Sequence, residues 1–288
     1  MTAILEAHGV TKIFGGLRAL NKVDLRIDEG QVFALIGPNG AGKTTFFNMV
    51  TGIYPPTAGS VRFQDTELLD KVPVPYFPLV KRSRRPFQIT RLGIGRTFQN
   101  IRLFPNMTSL ENVMVGVDAH NKSGVGRAMF KTRFHQREEQ VTEERAGELL
   151  RFVGIAQYGN ELSKNLAYGD QRRLEIARAL GTKPALLLLD EPAAGMNPSE
   201  KASLMKLIQQ VRDEGVTIFL IEHDMRVVMG ISDRIAVLDF GEKIADGTAE
   251  EVQRNPRVVE AYLGRGASEE SGHAAHADRS GEEPDGAP

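Results

Sequence analysis

Gly37-Pro38-Asn39-Gly40-Ala41-Gly42-Lys43-Thr44-Thr45 fits the phosphate-loop pattern G-x-x-x-x-G-K-[ST] at each fixed position. The preceding Gln31-Val32-Phe33-Ala34-Leu35-Ile36 is apolar and partly β-branched, which predicts a buried parallel strand. The following Phe46-Phe47-Asn48-Met49-Val50 predicts the first turns of a helix. Strand, glycine loop and helix start is the context in which the pattern holds phosphate; a chance glycine turn is the bland alternative. Gly37, Gly40 and Gly42 let the backbone curl so that N–H groups point inward at phosphate oxygens. The helix N-terminus adds partial positive charge. Lys43 then reaches the β- and γ-phosphates and the Thr44 hydroxyl ligates Mg²⁺. Asn39, Ala41 and Thr45 complete the expected nucleotide-binding set.

Two further apolar runs end in reactive residues. Ala185-Leu186-Leu187-Leu188-Leu189 leads into Asp190-Glu191-Pro192, and Thr217-Ile218-Phe219-Leu220-Ile221 leads into Glu222-His223-Asp224. Ligands of parallel α/β sheets bind at the carboxyl ends of strands, so one shared sheet would gather all three sets around one nucleotide. Asp190 suits the aspartate that holds Mg²⁺ through water. Glu191 can take a proton from an attacking water, and His223 can hydrogen-bond that water or the γ-phosphate. The bland alternatives are a helix-capping acid pair and a satisfied surface histidine. The strand-end positions favour the functional reading, because both acidic charges after a leucine run must be solvated or paired.

The chain of 288 residues has room for one large domain or two small ones. A net charge of −1 gives no basic field for nucleic acid. The absence of cysteine excludes disulfides and thiolate metal sites. No apolar run approaches the roughly 20 residues that span a bilayer. The start, Met1-Thr2-Ala3-Ile4-Leu5-Glu6, is unlike a signal peptide, so the chain is expected in the cytosol unless a membrane partner holds it.

Before the phosphate loop, Ile4–Ala7, Val10–Phe14, Leu17–Leu20 and Val23–Ile27 read as four short strands of an antiparallel sheet, punctuated by Gly15-Gly16 and Asp28-Glu29-Gly30. Phe14, at a strand end before a glycine pair, is either a purine-stacking ring or a rim hydrophobe. Beyond the loop, 60–63 reads as a strand and 70–91 as an irregular proline-rich stretch. It carries Lys81-Arg82-Ser83-Arg84-Arg85, a solvated loop face or a contact for lipid head groups. A helix capped by Thr108 or Ser109 follows, then helical patterns over 141–153 and from Ile155 onward. Region 100–180 thus reads as a mostly helical insertion. Leu166-Ala167-Tyr168-Gly169-Asp170-Gln171 opens a helix striped by Leu174, Ala177 and Leu180. Asn197-Pro198 starts another, stopped by Gly215. Ile235–Leu238 and Lys243–Ala245 form a hairpin, and the acidic stretch 265–288 lacks the apolar content to fold.

Taken together and in order, these motifs resemble the ATP-binding subunits of ABC transporters over about 3–263. The resemblance implies a RecA-like phosphate-loop ATPase core with an N-terminal antiparallel β subdomain and an inserted α-helical subdomain, all within 1–264. It places Gln99 as the Q-loop glutamine, which joins Mg²⁺ and the attacking water to the helical region. Leu166–Gln171 falls at the signature that acts on the partner's ATP, Glu191 at the catalytic glutamate, Gly195-Met196-Asn197-Pro198 at the D-loop and His223 at the switch histidine. It also makes Phe14 the adenine-stacking ring. The signature departs from the common Leu-Ser-Gly-Gly-Gln: Ala167 stands for serine and Tyr168 for the first glycine. With Arg96-Thr97-Phe98-Gln99, Ala193-Ala194-Gly195 and Ala261-Tyr262-Leu263-Gly264, that form is similar to the LivG-type ATPases of branched-chain amino acid importers; residues 73–88 look longer than in that subgroup. The resemblance implies ATP and Mg²⁺ as cofactors and a head-to-tail dimer with a second, non-identical ATPase. It further implies two permease chains, an external binding protein and a peripheral place on the cytoplasmic face of the inner membrane. Lipid extraction, urea uptake and a soluble nucleotide-gated module are the alternatives.

Overall fold

The computed structural model describes residues 2–74, 77–120 and 133–262. The expected unfolded segment 265–288 lies outside them, as do Leu263, Gly264 and most of the polar stretch 119–140.

The three buried apolar runs share one sheet, as expected, and it has six strands in the order β12 (Glu242–Gly247), β11 (Arg234–Asp239), β3 (Val32–Ile36), β10 (Thr217–Ile221), β9 (Leu186–Asp190), β8 (Ile94–Arg96). All neighbours are parallel except the β11–β12 hairpin. β3, β9 and β10 are buried at every position, because both sheet faces are covered. Alternate side chains feed two cores. Val32, Ala34, Ile36, Leu187 and Leu189 join the helices on one face. Phe33, Leu35, Leu186 and Leu188 join the antiparallel sheet and α1 (Lys43–Val50) on the other. There Phe46 and Phe47 pack on Phe219, ring centroids 6.1 and 4.6 Å apart.

The N-terminal sheet has the order β2-β1-β4-β5. The four short strands expected before the phosphate loop are two long ones, β1 (Ala3–Phe14) and β2 (Leu17–Asp28). Gly9 and Lys22, at φ +56° and +47°, absorb the interruptions as register shifts instead of turns. β4 (Ala58–Phe63) and β5 (Thr66–Glu67) complete the sheet. The expected irregular stretch 70–91 is instead a two-stranded antiparallel sheet, β6 (Leu69–Val74) with β7 (Phe77–Ser83), and helix α2 (Pro86–Leu92). Proline is tolerated at those places, since both strands of a two-stranded sheet are edges and Pro86 sits at the first helical position.

Helix α3 (Ser109–Val117) is capped by Thr108, whose hydroxyl accepts from the Glu111 N–H while the Glu111 carboxylate accepts from the Thr108 N–H. It crosses α5 (Tyr168–Gly181) backbone to backbone at Gly116, where a Cβ would lie 2.1 Å from the Arg178 carbonyl oxygen. α4 (Arg133–Phe152) packs beside both. The helix expected from Ile155 is only two short 3₁₀ turns, Ala156–Tyr158 and Ser163–Asn165; Gly154, at φ +81°, ends the preceding helix. α6 (Pro198–Asp213) is capped by Asn197 and α7 (Met225–Ile231) by Asp224, while α8 (Ala249–Arg254) lies near the end. The result is the expected α/β architecture, a parallel core with an antiparallel β lobe and a helical insertion. No helix of the described residues is long and apolar enough to cross a membrane.

Candidate active site

The sheet order places four strand ends side by side: the phosphate loop after β3, His223 after β10, Asp190-Glu191 at β9, and Thr97-Phe98-Gln99 after β8. Ile221 pairs with Asp190 on one side and Leu35 on the other, so the ends are level as well as adjacent. Neighbouring strands lie about 4.8 Å apart, which puts all four sets within the span of one nucleoside triphosphate. β8 escaped the sequence reading because three residues containing glycine and arginine carry no strand signature.

Gly37 and Gly42 are required by close approach. A Cβ on Gly37 would sit 2.1 Å from the Leu238 carbonyl oxygen and one on Gly42 2.6 Å from that of Ala19. Gly40 and Gly42 also hold positive φ, +78° and +102°. Lys43 is buried and donates to the Gly37 and Pro38 carbonyls at 2.6 and 3.0 Å. Its ammonium thus already lies inside the loop, whereas Asn39, Gly40 and Thr44 are exposed. Thr45 is half-buried and Ala41 buried.

Glu191 is flanked by the other two residues expected to be catalytic. Gln99 Nε2 donates to Oε2 at 2.9 Å, and His223 Nδ1 lies 3.6 Å from Oε1. Glu191 itself holds φ +47°, which in a non-glycine residue marks a conformation imposed by its surroundings. The buried Glu222 fixes the loop behind it, accepting from the Ala193, His223 and Asp224 N–H groups at 2.9, 3.0 and 3.2 Å. Asp190 is 3 % exposed and paired with Arg96 at 2.9 Å. Burial pushes its carboxyl above the ordinary carboxylate range, and the Arg96 hydrogen bond opposes this.

Phe14 belongs to a small cluster. Phe14, 42 % exposed, meets Tyr54 edge to face at 5.2 Å, and Lys12 Nζ stands 4.9 and 4.8 Å from the two ring centres. Lys12 and Tyr54 are additions that no motif spacing announces.

The 166–171 segment lies apart. Ala167 is the N-cap residue of α5 without a side-chain cap, and Gln171 Nε2 secures the turn through the Leu166 carbonyl at 2.9 Å. Tyr168 is 45 % exposed and reaches Arg172 Nη2 at 3.2 Å. A cavity of about 280 Å³ beside Ala167, Gly169 and Asp170 is lined further by residues of α6 and the D-loop, none from the phosphate loop. Arg172 and Glu175, buried at 1 % and 0 %, pair at 3.0 Å and clasp the main chain before and after Gln99. Arg172 Nη1 donates to the Phe98 carbonyl at 2.6 Å and Nη2 to that of Gln99. Glu175 accepts from the Phe98 and Arg102 N–H groups, each at 3.3 Å.

A phosphate loop, two strand-end carboxylates, a glutamine and a histidine on one parallel sheet define a phosphate-loop nucleotide hydrolase. The chain matches the ABC transporter family over residues 20–194, and the branched-chain amino acid ATP-binding cassette transporter family over 242–268. It is 47 % identical over 262 residues to the high-affinity branched-chain amino acid transport ATP-binding protein BraF of Pseudomonas aeruginosa, covering 91 % of this chain and 98 % of that one. To LivG of Escherichia coli K12, of the same description, it is 45 % identical over the same shares. Among solved structures it superposes on the ADP conformation of MJ1267, an ATP-binding cassette of an ABC transporter. That match has a TM-score of 0.76 and 30 % identity, and covers 92 % of this chain and all of that one. The chain belongs to the ABC transporter family and is one of its ATP-binding, ATP-hydrolysing cassettes.

Proposed function

We propose that this chain is an ATP-hydrolysing subunit of an importer for branched-chain or related amino acids. The observation that carries the reading is the 91 % coverage at 47 % identity to a branched-chain amino acid transport subunit, joined to the C-terminal match over 242–268. In this reading Phe14 stacks on adenine, and 37–45 cradle the phosphates. Glu191 accepts the proton of the attacking water, held by Gln99 and His223. Leu166–Gln171 completes the site of a second, non-identical ATPase docked head to tail. Two permeases and an external binding protein finish the complex, which places this subunit on the cytoplasmic face of the inner membrane.

Mg²⁺ suits the donors at hand. Thr44, Gln99 and Asp190 offer hydroxyl, amide and a single buried carboxylate, all hard oxygens. Among the described residues no cluster of three His, Cys, Asp or Glu exists that would hold an ion alone. An ion bound here would complete its shell with phosphate oxygens and water, as Mg²⁺ does. When bound it supplies charge neutralisation to the β- and γ-phosphates. ATP closes the dimer only through its higher affinity for the closed state.

The test is ATP turnover by the reconstituted complex in liposomes, with the binding protein added empty or loaded with leucine, isoleucine or valine. Stimulation by a loaded form is expected; equal rates with and without each of the three would overturn the substrate assignment.

A further inference from the structure

Arg96 lies at the end of β8, a strand with no reactive residue of its own assigned. Its side chain is 9 % exposed and is fixed on several sides. Nη2 donates to Asp190 Oδ2 at 2.9 Å. Nη1 donates to Asn48 Oδ1 at 2.8 Å and to Thr51 Oγ1 at 2.9 Å, both near the C-terminal end of α1. The guanidinium carbon lies 5.7 Å from the Phe47 ring and 5.0 Å from that of Phe98. Asn48 in turn reaches outward, its Nδ2 standing 3.4 Å from the Tyr54 hydroxyl beside Phe14.

We propose that Arg96 is a positioning residue for metal-bound nucleotide. It ties the Asp190 carboxylate to the helix that carries Lys43 and Thr44, so that strand and helix present their oxygens in one fixed geometry. The inference rests on the reading of Asp190 and Thr44 as the oxygens that serve Mg²⁺. Charge explains the choice of residue. A carboxylate 3 % exposed needs a cation to stay ionised, and arginine supplies one whose planar fork also reaches two acceptors on α1. A lysine could neutralise Asp190 as a point charge, but it lacks the fork that spans to Asn48 and Thr51.

The experiment measures binding of a fluorescent ATP analogue to the purified full chain, once in EDTA and once across a Mg²⁺ titration. Arg96→Gln should raise the Mg²⁺ concentration for half-maximal enhancement by about 10- to 100-fold, the range found when partners of metal-holding carboxylates are removed. Binding in EDTA should stay at the parent level, and Arg96→Lys should recover part of the loss. Asn48→Ala keeps the ion pair and removes one acceptor of the fork, so it covers the case in which Arg96→Gln does not fold; it should shift the Mg²⁺ requirement in the same direction by less. An unshifted Mg²⁺ requirement in a folded Arg96→Gln or Asn48→Ala protein overturns the proposal. So does an equal loss of binding in EDTA and in Mg²⁺, which would mark a structural role only. A parent protein whose binding does not respond to Mg²⁺ at all would instead overturn the metal-site reading beneath it.

Discussion

In the proposed reading Glu191 is the general base, and its setting supports that role. A left-handed φ of +47° turns it off the end of β9, between the Gln99 amide at 2.9 Å and His223 Nδ1 at 3.6 Å. Glu191→Gln should therefore bind ATP like the parent and lose about 10²- to 10⁴-fold in turnover, the usual worth of a positioned general base. Turnover and nucleotide binding measured on the same preparation check this, and near-parent turnover would remove Glu191 from the mechanism. At the partner's site, Ala167 lacks the hydroxyl that serine would offer a γ-phosphate, and hydrogen bonds to charged groups contribute about 1.5–3 kcal/mol. Ala167→Ser should tighten ATP binding at that site by roughly tenfold or more, read from the ATP dependence of turnover in the complex. No gain in affinity or rate would show that the Gly169 amide and the α5 N-terminus already suffice. The reactive residue types at the strand ends were legible in the sequence, because carboxylates and a histidine after apolar runs have few structural uses. The pairing of Asp190 with Arg96 was not legible: the two lie 94 positions apart and only the β8–β9 register brings them together.

Between elements, the Arg172–Glu175 pair joins α5 to the loop that carries Gln99. Burial raises the Glu175 carboxyl above its ordinary 4.5, with Arg172 the foremost opposing influence. A raised folded-state value means that the unfolded chain sheds this proton first as pH climbs. The stability contribution is then complete below about 4.5 and is lost as pH rises through the folded value. Glu175→Gln should melt at a lower temperature than the parent near pH 4.5, and its melting temperature should fall less steeply from there toward neutrality. Thermal melts across that window decide it; a parallel slope would contradict the assignment. The buried strands β3, β9 and β10 were readable from unbroken apolar runs. The β6–β7 pair was not, since its prolines signal irregularity and edge strands tolerate them. Nor were β1 and β2 readable as single strands, because bulges at Gly9 and Lys22 look like turns in one dimension.

At the scale of the whole molecule, the phosphate loop and the 166–171 segment proposed as the signature lie on separate surfaces. The cavity beside Ala167 and Gly169 takes its walls from α5, α6 and the D-loop alone. That separation suits the head-to-tail pair of cassettes that the family resemblance implies. The most direct test is to tag the chain in its source cells, isolate it from gently solubilised membranes and identify what accompanies it. The account predicts two permease chains and a second, non-identical ATPase in stoichiometric amounts. Recovery from the soluble fraction alone, as a monomer or self-dimer, would contradict it.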